Sequence, residues 1–314
     1  MNNTKRPNAS NDVHQKITDR IIAAIEAGVG QWQMPWSRSG SAGVRPVNAH
    51  TGNRYKGVNV VALWAAAEFI GYGSGFWATY KQWRNLGAQV HKGEKANLIV
   101  FYKKVEREVE DKETGKPKSE TRFFARASWV FNADQVDGWQ APKPEVRSPV
   151  EILKHAEDFV AATGADIRHG GNRAYYRPLS DHIQMPHREF FTGTTTSTAS
   201  EGYYATLLHE LTHYAGHERR LNRDMRGRFG NRAYAMEELV AELGAAFLCA
   251  DLAITNEPRP DHAAYISGWL DVLKRDKKAI FTAARKASQA ADYLSALQST
   301  APVVALHSEN GARA

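Results

Sequence analysis

The sequence predicts an α+β protein of two successive domains, and three observations predict it. The first is the distribution of charge. Residues 1–140 hold 20 Lys/Arg against 13 Asp/Glu, whereas residues 141–314 hold 21 of each, so the whole net charge of +7 belongs to the first part. Seven of the eight Trp also fall there, with Trp269 the exception. The second is the run Gly138 to Pro149, whose three prolines (142, 144 and 149) favour an extended, semi-rigid linker. The third is that both parts mix helical periodicity with short strand-like runs. The expected division is residues 1–140 as a first domain, 141–149 as linker, 150–298 as a second domain and 299–314 as a tail.

In the first domain Val13 to Ala27 reads as an amphipathic helix, with Ile17, Ile21, Ile22 and Ile25 on one face and Gly28 as its stop. Helices follow at Asn59 to Ile70 and Thr79 to Leu86. Asn97 to Tyr102 and Arg122 to Phe131 read as strands, and the charged, Gly/Pro-containing segment from Glu106 to Glu120 between them makes a long, loose hairpin the expected connection. In the second domain a helix is expected over Pro149 to Thr163, then strands at Arg173 to Tyr176 and His182 to Met185. Three helices close it: Ser200 to Ala215, Tyr234 to Leu252, and Ala263 to about Leu297. Met1 to Asn11 reads as a loose tail.

Composition removes several classes of function. The single Cys249 excludes an intramolecular disulfide framework and any cysteine-based zinc module, and a buried core thiol is its expected role. Met1 to Lys16 has no apolar stretch of the secretory kind, and no run reaches the length of a membrane span. A cytoplasmic location and no membrane partner are expected.

The sharpest motif is His209-Glu210-Leu211-Thr212-His213. On a helix, positions 209 and 213 lie one turn apart on one face, so both imidazoles can converge on one ion. Glu210 projects about 100° round the helix, beside the ion, where it can accept a proton from a water at the metal. Thr198 and Glu201 make a capping-box pattern ahead of it, and Gly216 is a natural end. Glu237-Glu238-Leu239-Val240-Ala241-Glu242 opens a second amphipathic helix 24 residues past His213. Glu238 is the expected third ligand, with Glu237 as the alternative, and Glu242 is expected to orient a ligand histidine from behind. His217 is weighed as a ligand and set in the loop near the cleft. Two His and one carboxylate suit Zn²⁺ first, with Mn²⁺, Fe²⁺ or Co²⁺ as alternatives. Tyr203, Tyr204 and Tyr234 each offer a hydroxyl to a developing oxyanion. His182 to Met185 is read as an edge strand along which an extended substrate can lie. A small sheet beside such a helix resembles the assembly of zincins, and the Glu-liganded ones in particular.

The first domain interleaves cations with flat rings. Arg54, Lys56, Lys81, Arg84, Lys92 and Lys95 stand among Tyr55, Trp77, Tyr80 and Trp83. Lys103, Lys104, Arg122 and Arg126 stand among Phe101, Tyr102, Phe123 and Phe124. Cations along phosphates and rings against bases are the chemistry of sequence-tolerant single-strand binding. Arg54, Lys56, Trp77, Tyr80, Lys81, Trp83, Lys92 and Lys95 are the expected contacts.

The chain resembles the ArdC-type antirestriction proteins of conjugative plasmids from about residue 12 to 298. In the first domain the resemblance rests on Tyr55-Lys56-Gly57-Val58-Asn59, Trp77-Ala78-Thr79-Tyr80-Lys81-Gln82, Lys92-Gly93-Glu94-Lys95 and Val130-Phe131-Asn132-Ala133-Asp134-Gln135. In the second it rests on Tyr203-Tyr204-Ala205-Thr206-Leu207-Leu208 running into the His209–His213 motif, and on Arg220-Leu221. It implies a domain that binds single-stranded DNA, a zincin-like metallopeptidase domain, and protection of incoming conjugative DNA from host restriction. The first domain also resembles a segment of plasmid-encoded primases, without any polymerase or primase motif. The resemblance leaves Glu210 open between a catalytic role and completion of a binding site. The alternative function is a DNA-dependent metalloprotease that cleaves a host restriction subunit or another DNA-bound protein.

Overall fold

A computed structural model describes residues 9–28, 44–110, 117–143, 147–194, 197–225, 231–255 and 262–300. Trp32, Trp36, most of the two expected tails and part of the proline-rich run lie outside these residues. The side chains of residues 103–124 lie outside them too, including Lys103, Lys104, Arg122, Phe123 and Phe124.

Helix α1 (Ala9–Gly28) forms where the isoleucine spacing predicts it, and Val13, Ile17, Ile21 and Ile25 are buried along one stripe. After β1 (Val47–Asn48) comes α2 (Val58–Ile70), which ends at Gly71 with a left-handed φ of 86°. Strand β2 (Phe76–Ala78) leads into the short α3 (Tyr80–Asn85). The reciprocal Thr79–Gln82 capping box starts α3: Gln82 N donates to Thr79 Oγ1 at 3.3 Å, and Thr79 N donates to Gln82 Oε1 at 2.9 Å. β3 (Gln89–Val90), β4 (Asn97–Glu110), β5 (Pro117–Asn132) and β6 (Val136–Asp137) complete this part. One sheet has the order β1-β2-β5-β4, and β3 pairs with β6 separately. The expected hairpin forms, but its β4–β5 ladder continues to Glu110↔Pro117, so most of the segment expected to be loose is paired strand.

In the second part α4 (Pro149–Ala162) is capped by Ser148 and Glu151 with Pro149 in its first turn. Strands β7 (Asp166–His169), β8 (Tyr175–Arg177) and β9 (His182–Met185) form a sheet of order β7-β9-β8. β9 is thus the middle strand, bonded in parallel to β7 and antiparallel to β8. This corrects the reading of His182 to Met185 as an edge, because both sides of its backbone are already taken by neighbours. Helices α5 (Ala199–Ala215), α6 (Arg232–Leu252), α7 (His262–Arg275) and α8 (Ala279–Ala296) follow. The single helix expected from Ala263 to Leu297 is two. At the break Asp276 Oδ1 accepts Lys278 N at 2.9 Å, a local turn that competes with the helical ladder.

Helix α6 is buried continuously from Glu237 to Cys249 and packs against α5, α7 and α8. The two parts share one apolar core, with Trp64 of α2 against Phe247 of α6 at 5.7 Å between ring centroids. Polar groups cross the same seam. Thr18 Oγ1 donates to the Lys277 carbonyl at 2.7 Å, and Gly57 N donates to Ser288 Oγ at 2.9 Å. Asp251, at the end of α6, is gripped by Arg45 at 3.1 Å and Arg54 at 2.6 Å, while Lys56 meets Asp292 at 2.8 Å.

Candidate metal centre

The Thr198–Glu201 capping box starts α5 as the sequence predicts, with Glu201 N donating to Thr198 Oγ1 at 3.2 Å and Thr198 N to Glu201 Oε2 at 2.8 Å. Glu201 Oε1 also accepts Thr255 N at 3.1 Å, which ties the start of α5 to the residues just after α6. The two helices come unusually close at Thr212 and Gly244. A Cβ added at Gly244 would stand 2.4 Å from Thr212 Cγ2 and 3.1 Å from its Cβ. Threonine is branched at Cβ and cannot swing away, so the glycine sets the distance between the histidine helix and the carboxylate helix.

Across this narrow seam the ligand-type side chains meet. His209 Nε2 lies 3.5 Å from Glu238 Oε2, and His213 Nε2 lies 3.6 Å from Glu238 Oε1. Among the described residues, His209, His213 and Glu238 form the group whose ligand atoms all fall within 4.8 Å of one another. Bonds of about 2.1 Å in a tetrahedral shell separate ligand atoms by roughly 3.4 Å, so this spacing fits one small cation. The donor set of two imidazoles and a carboxylate is that of a divalent metal site, and Zn²⁺ and Mn²⁺ are both compatible with it.

The remaining nitrogens face carboxylates as well. His213 Nδ1 is 3.1 Å from Glu237 Oε1, and His209 Nδ1 faces Glu242 Oε2 at 3.7 Å. Each imidazole therefore has Glu238 before it and another carboxylate on its far side; the 3.1 Å hydrogen bond to Glu237 fixes the His213 ring and raises its basicity toward a metal, while Glu242 faces His209 at longer range. The structure places Glu238, rather than Glu237, against both Nε2 atoms. Glu237 is held in turn by Arg223, whose Nη2 donates to Oε1 at 2.6 Å and to the Thr212 carbonyl at 2.7 Å. Gly216 makes room for that arm, since a Cβ there would lie 2.6 Å from Arg223 Nη2. The sequence reading missed the Arg223–Glu237 pair. Its only available signal was the adjacent Glu237-Glu238, which shows that two carboxylates compete but not which one turns to the metal.

The acids stay ionised despite burial. Burial pushes the Glu238 carboxyl up, but the hydrogen bond from His209, the pull of both imidazoles and the Tyr234 hydroxyl outweigh it and hold the group at about 2. Glu237 is also held below its ordinary value, His213 and Arg223 overcoming its desolvation. Glu210 is buried at the next position round α5. Of the three candidate tyrosines, Tyr234 reaches the site. Tyr203 is engaged with His169 at 2.8 Å, and Tyr204 lies between Glu157 at 2.9 Å and Arg188 at 3.0 Å. His217 accepts Arg219 N at 3.2 Å in the turn beyond α5 and is not in the donor group. Cys249 is fully buried, and burial pushes its thiol well up, as befits a core residue.

The expected DNA contacts separate into three sets. Trp77 and Trp83 are 1% and 0% exposed, and Tyr55 is buried, so these rings are core and have no free face for a base. Trp83 Nε1 is spent on the Phe131 carbonyl at 3.1 Å. This corrects their reading as stacking platforms: large flat rings buy more stability inside a small domain than on its surface. Arg54 and Lys56 are paired with Asp251 and Asp292. Tyr80, Lys81, Lys92 and Lys95 are exposed, and the three lysines have no ion-pair partner among the described residues.

A helix bearing His-Glu-x-x-His against a second helix that supplies a carboxylate, beside a small sheet, defines a zincin-type metalloprotein. Residues 154–286 match the family model of a zincin-like metallopeptidase, and residues 11–131 match that of the N-terminal domain of the anti-restriction factor ArdC. The fold is similar to the metal-free crystal structure of antirestriction ArdC from plasmid R388, at TM-score 0.72 and 42% identity over 93% of this chain and 99% of that one. The Mn(II)-bound ArdC structure is similar at TM-score 0.70 and 39% identity, over 92% and 99%. Protein y4eC of Sinorhizobium fredii is 48% identical over 96% of this chain and 97% of its own length. DNA primase TraC of Escherichia coli is 37% identical over 91% of this chain, which spans about a quarter of TraC (27%). The chain belongs to the ArdC antirestriction family. No helix among the described residues is long and apolar enough to cross a membrane.

Proposed function

We propose that this protein is a plasmid antirestriction factor that engages incoming single-stranded DNA through residues 1–140 and carries a divalent-metal centre on His209, His213 and Glu238. The observation that carries the reading is the assembly of that donor set, with a carboxylate behind each histidine, in a chain whose first part holds the whole net positive charge. Exposed Lys81, Lys92 and Lys95 supply phosphate contacts, and Trp77 and Trp83 keep their frame rigid.

A bound divalent cation would supply Lewis acidity and a fixed positive charge at the α5–α6 seam. The protein's own groups do the rest. Glu237 orients His213, Glu242 sets a negative charge beside His209, Arg223 holds Glu237, and Tyr234 orients Glu238. Glu210 can hold a proton at its carboxylate beside the site.

Conjugative transfer into a restricting host tests the reading. The wild-type chain is expected to raise transfer efficiency over an empty control, and His209→Ala to lose that protection if the metal centre serves it. Glu210→Gln decides a second reading, a DNA-dependent metalloprotease, which the placement of Glu210 beside the donor set favours. Full protection by Glu210→Gln, with no DNA-stimulated cleavage of a restriction subunit, would leave the site as a binding or stabilising centre. No transfer advantage for the wild type would sink the antirestriction reading.

A further inference from the structure

We propose that the cleft between α3 and the β3–β6 pair is a base-binding subsite, taking one unstacked base of single-stranded nucleic acid against Tyr80 with a phosphate on Lys92. This rests on the reading of the first part as the DNA-binding part and gives that reading a place. The cleft has a volume of about 570 Å³, within the range that holds small flat ligands. Tyr80 is 45% exposed but held in place: its ring meets Phe131 edge-on at 6.3 Å, and its hydroxyl accepts Gln89 Nε2 at 3.3 Å. A ring presented in advance loses little freedom when a base stacks on it. Phe131 and Val90 line the apolar side.

The polar groups suit a base edge. Asp137 is open to solvent except for His91 Nε2 at 3.0 Å, so one carboxylate oxygen is free to accept from an exocyclic amino group. Glu94, the other acid in the cleft, accepts Gln135 Nε2 at 2.7 Å. Lys92 stands at the rim, on a turn where Gly93 adopts a left-handed φ of 91°. Exposed Lys81, Arg84 and Lys95 lie nearby in sequence and continue the cationic surface. A base inside a duplex has both faces covered, so the cleft selects for a strand whose bases are free to leave the stack. By contrast Arg54 and Lys56, the cations expected from the sequence to lead the contact, are tied to Asp251 and Asp292.

The test is fluorescence anisotropy on the full-length protein with a labelled oligo(dC), the same strand made abasic, and a duplex. Wild type is expected to prefer oligo(dC) over the duplex. Tyr80→Ala should weaken oligo(dC) binding about ten-fold, and Tyr80→Phe should stay within about two-fold of wild type. Wild type should lose about as much on the abasic strand, while Tyr80→Ala treats the two strands alike. Equal wild-type binding of intact and abasic strands, or unchanged binding by Tyr80→Ala, overturns the subsite and leaves the DNA-binding reading standing. Absence of any wild-type binding at low salt overturns both. Should Tyr80→Ala fail to fold, the abasic comparison on wild type still decides.

Discussion

The two parts of the molecule use charge in opposite ways. At the α5–α6 seam Glu237, Glu238, Glu242 and His209 are buried together, with the half-buried His213 and the Arg223 guanidinium packed against them. At the α3–β3 end Lys81, Lys92 and Lys95 stand in solvent with no partner among the described residues. The first arrangement is specific in geometry and suits a small cation. The second is loose in geometry and suits a flexible polyanion. A buried cluster can be read by asking which atom faces which. An exposed one is read by what it lacks.

That contrast can be broken by experiment, and the largest effect should come from the metal ligands. His213→Ala should weaken Zn²⁺ or Mn²⁺ binding more than about 100-fold in calorimetric titration, because a ligand is lost as well as its support. Near-native affinity would show that the ion sits elsewhere. Next comes the support behind the ligand. Glu237→Gln keeps the shape but removes the charge that holds His213, and should weaken binding about 10- to 100-fold. Glu210→Gln, which alters no ligand or supporting group, should stay within a few-fold.

Stability gives the third measurement. Gly244→Ala forces α5 from α6 and should cost about 1–3 kcal/mol in thermal or denaturant unfolding, with weaker metal binding alongside. A neutral result would mean that Thr212 can move. Chelation is expected to lower the melting temperature of the loaded protein, since a site held at 100 times its Kd adds about 2.7 kcal/mol. The smallest effects sharpen the cationic side. Lys92→Ala should reduce the salt dependence of DNA binding by about one phosphate contact. Arg54→Ala should leave that slope unchanged and alter stability by no more than about 1 kcal/mol, because its pair with Asp251 is half-exposed.

The clustering of His209, His213 and Glu238 was legible because helical spacing is rigid. One turn separates His209 from His213, and the same regularity puts Glu238 and Glu242 on one face. The capping box at Thr198 located the start of α5 for the same reason. What the spacing left undecided was the choice between Glu237 and Glu238, which depends on the rotation of α6 against α5 and on Arg223 arriving from the intervening segment. The proposed DNA face was suggested by composition but poorly resolved by residue. Trp77, Trp83 and Tyr80 lie within seven positions and share a chemical character, yet two are core and one is surface. Nothing local distinguishes them, since burial is settled by β5 and Trp139 packing from far along the chain. The sheet order failed for a similar reason. β7 has no alternation strong enough to announce it, and without it β9 looks like an edge.

Helix α6 joins the two charge regimes in one rod. Its first turns carry Glu237, Glu238 and Glu242, and roughly 20 Å further on Asp251 closes on Arg45 and Arg54. Arg45 is buried, with its guanidinium over Phe247 at 4.9 Å, so cutting the halves apart would strip that cation of its ring and its carboxylate and open Trp64 to water. Either half made alone would therefore expose a face that the whole chain keeps dry.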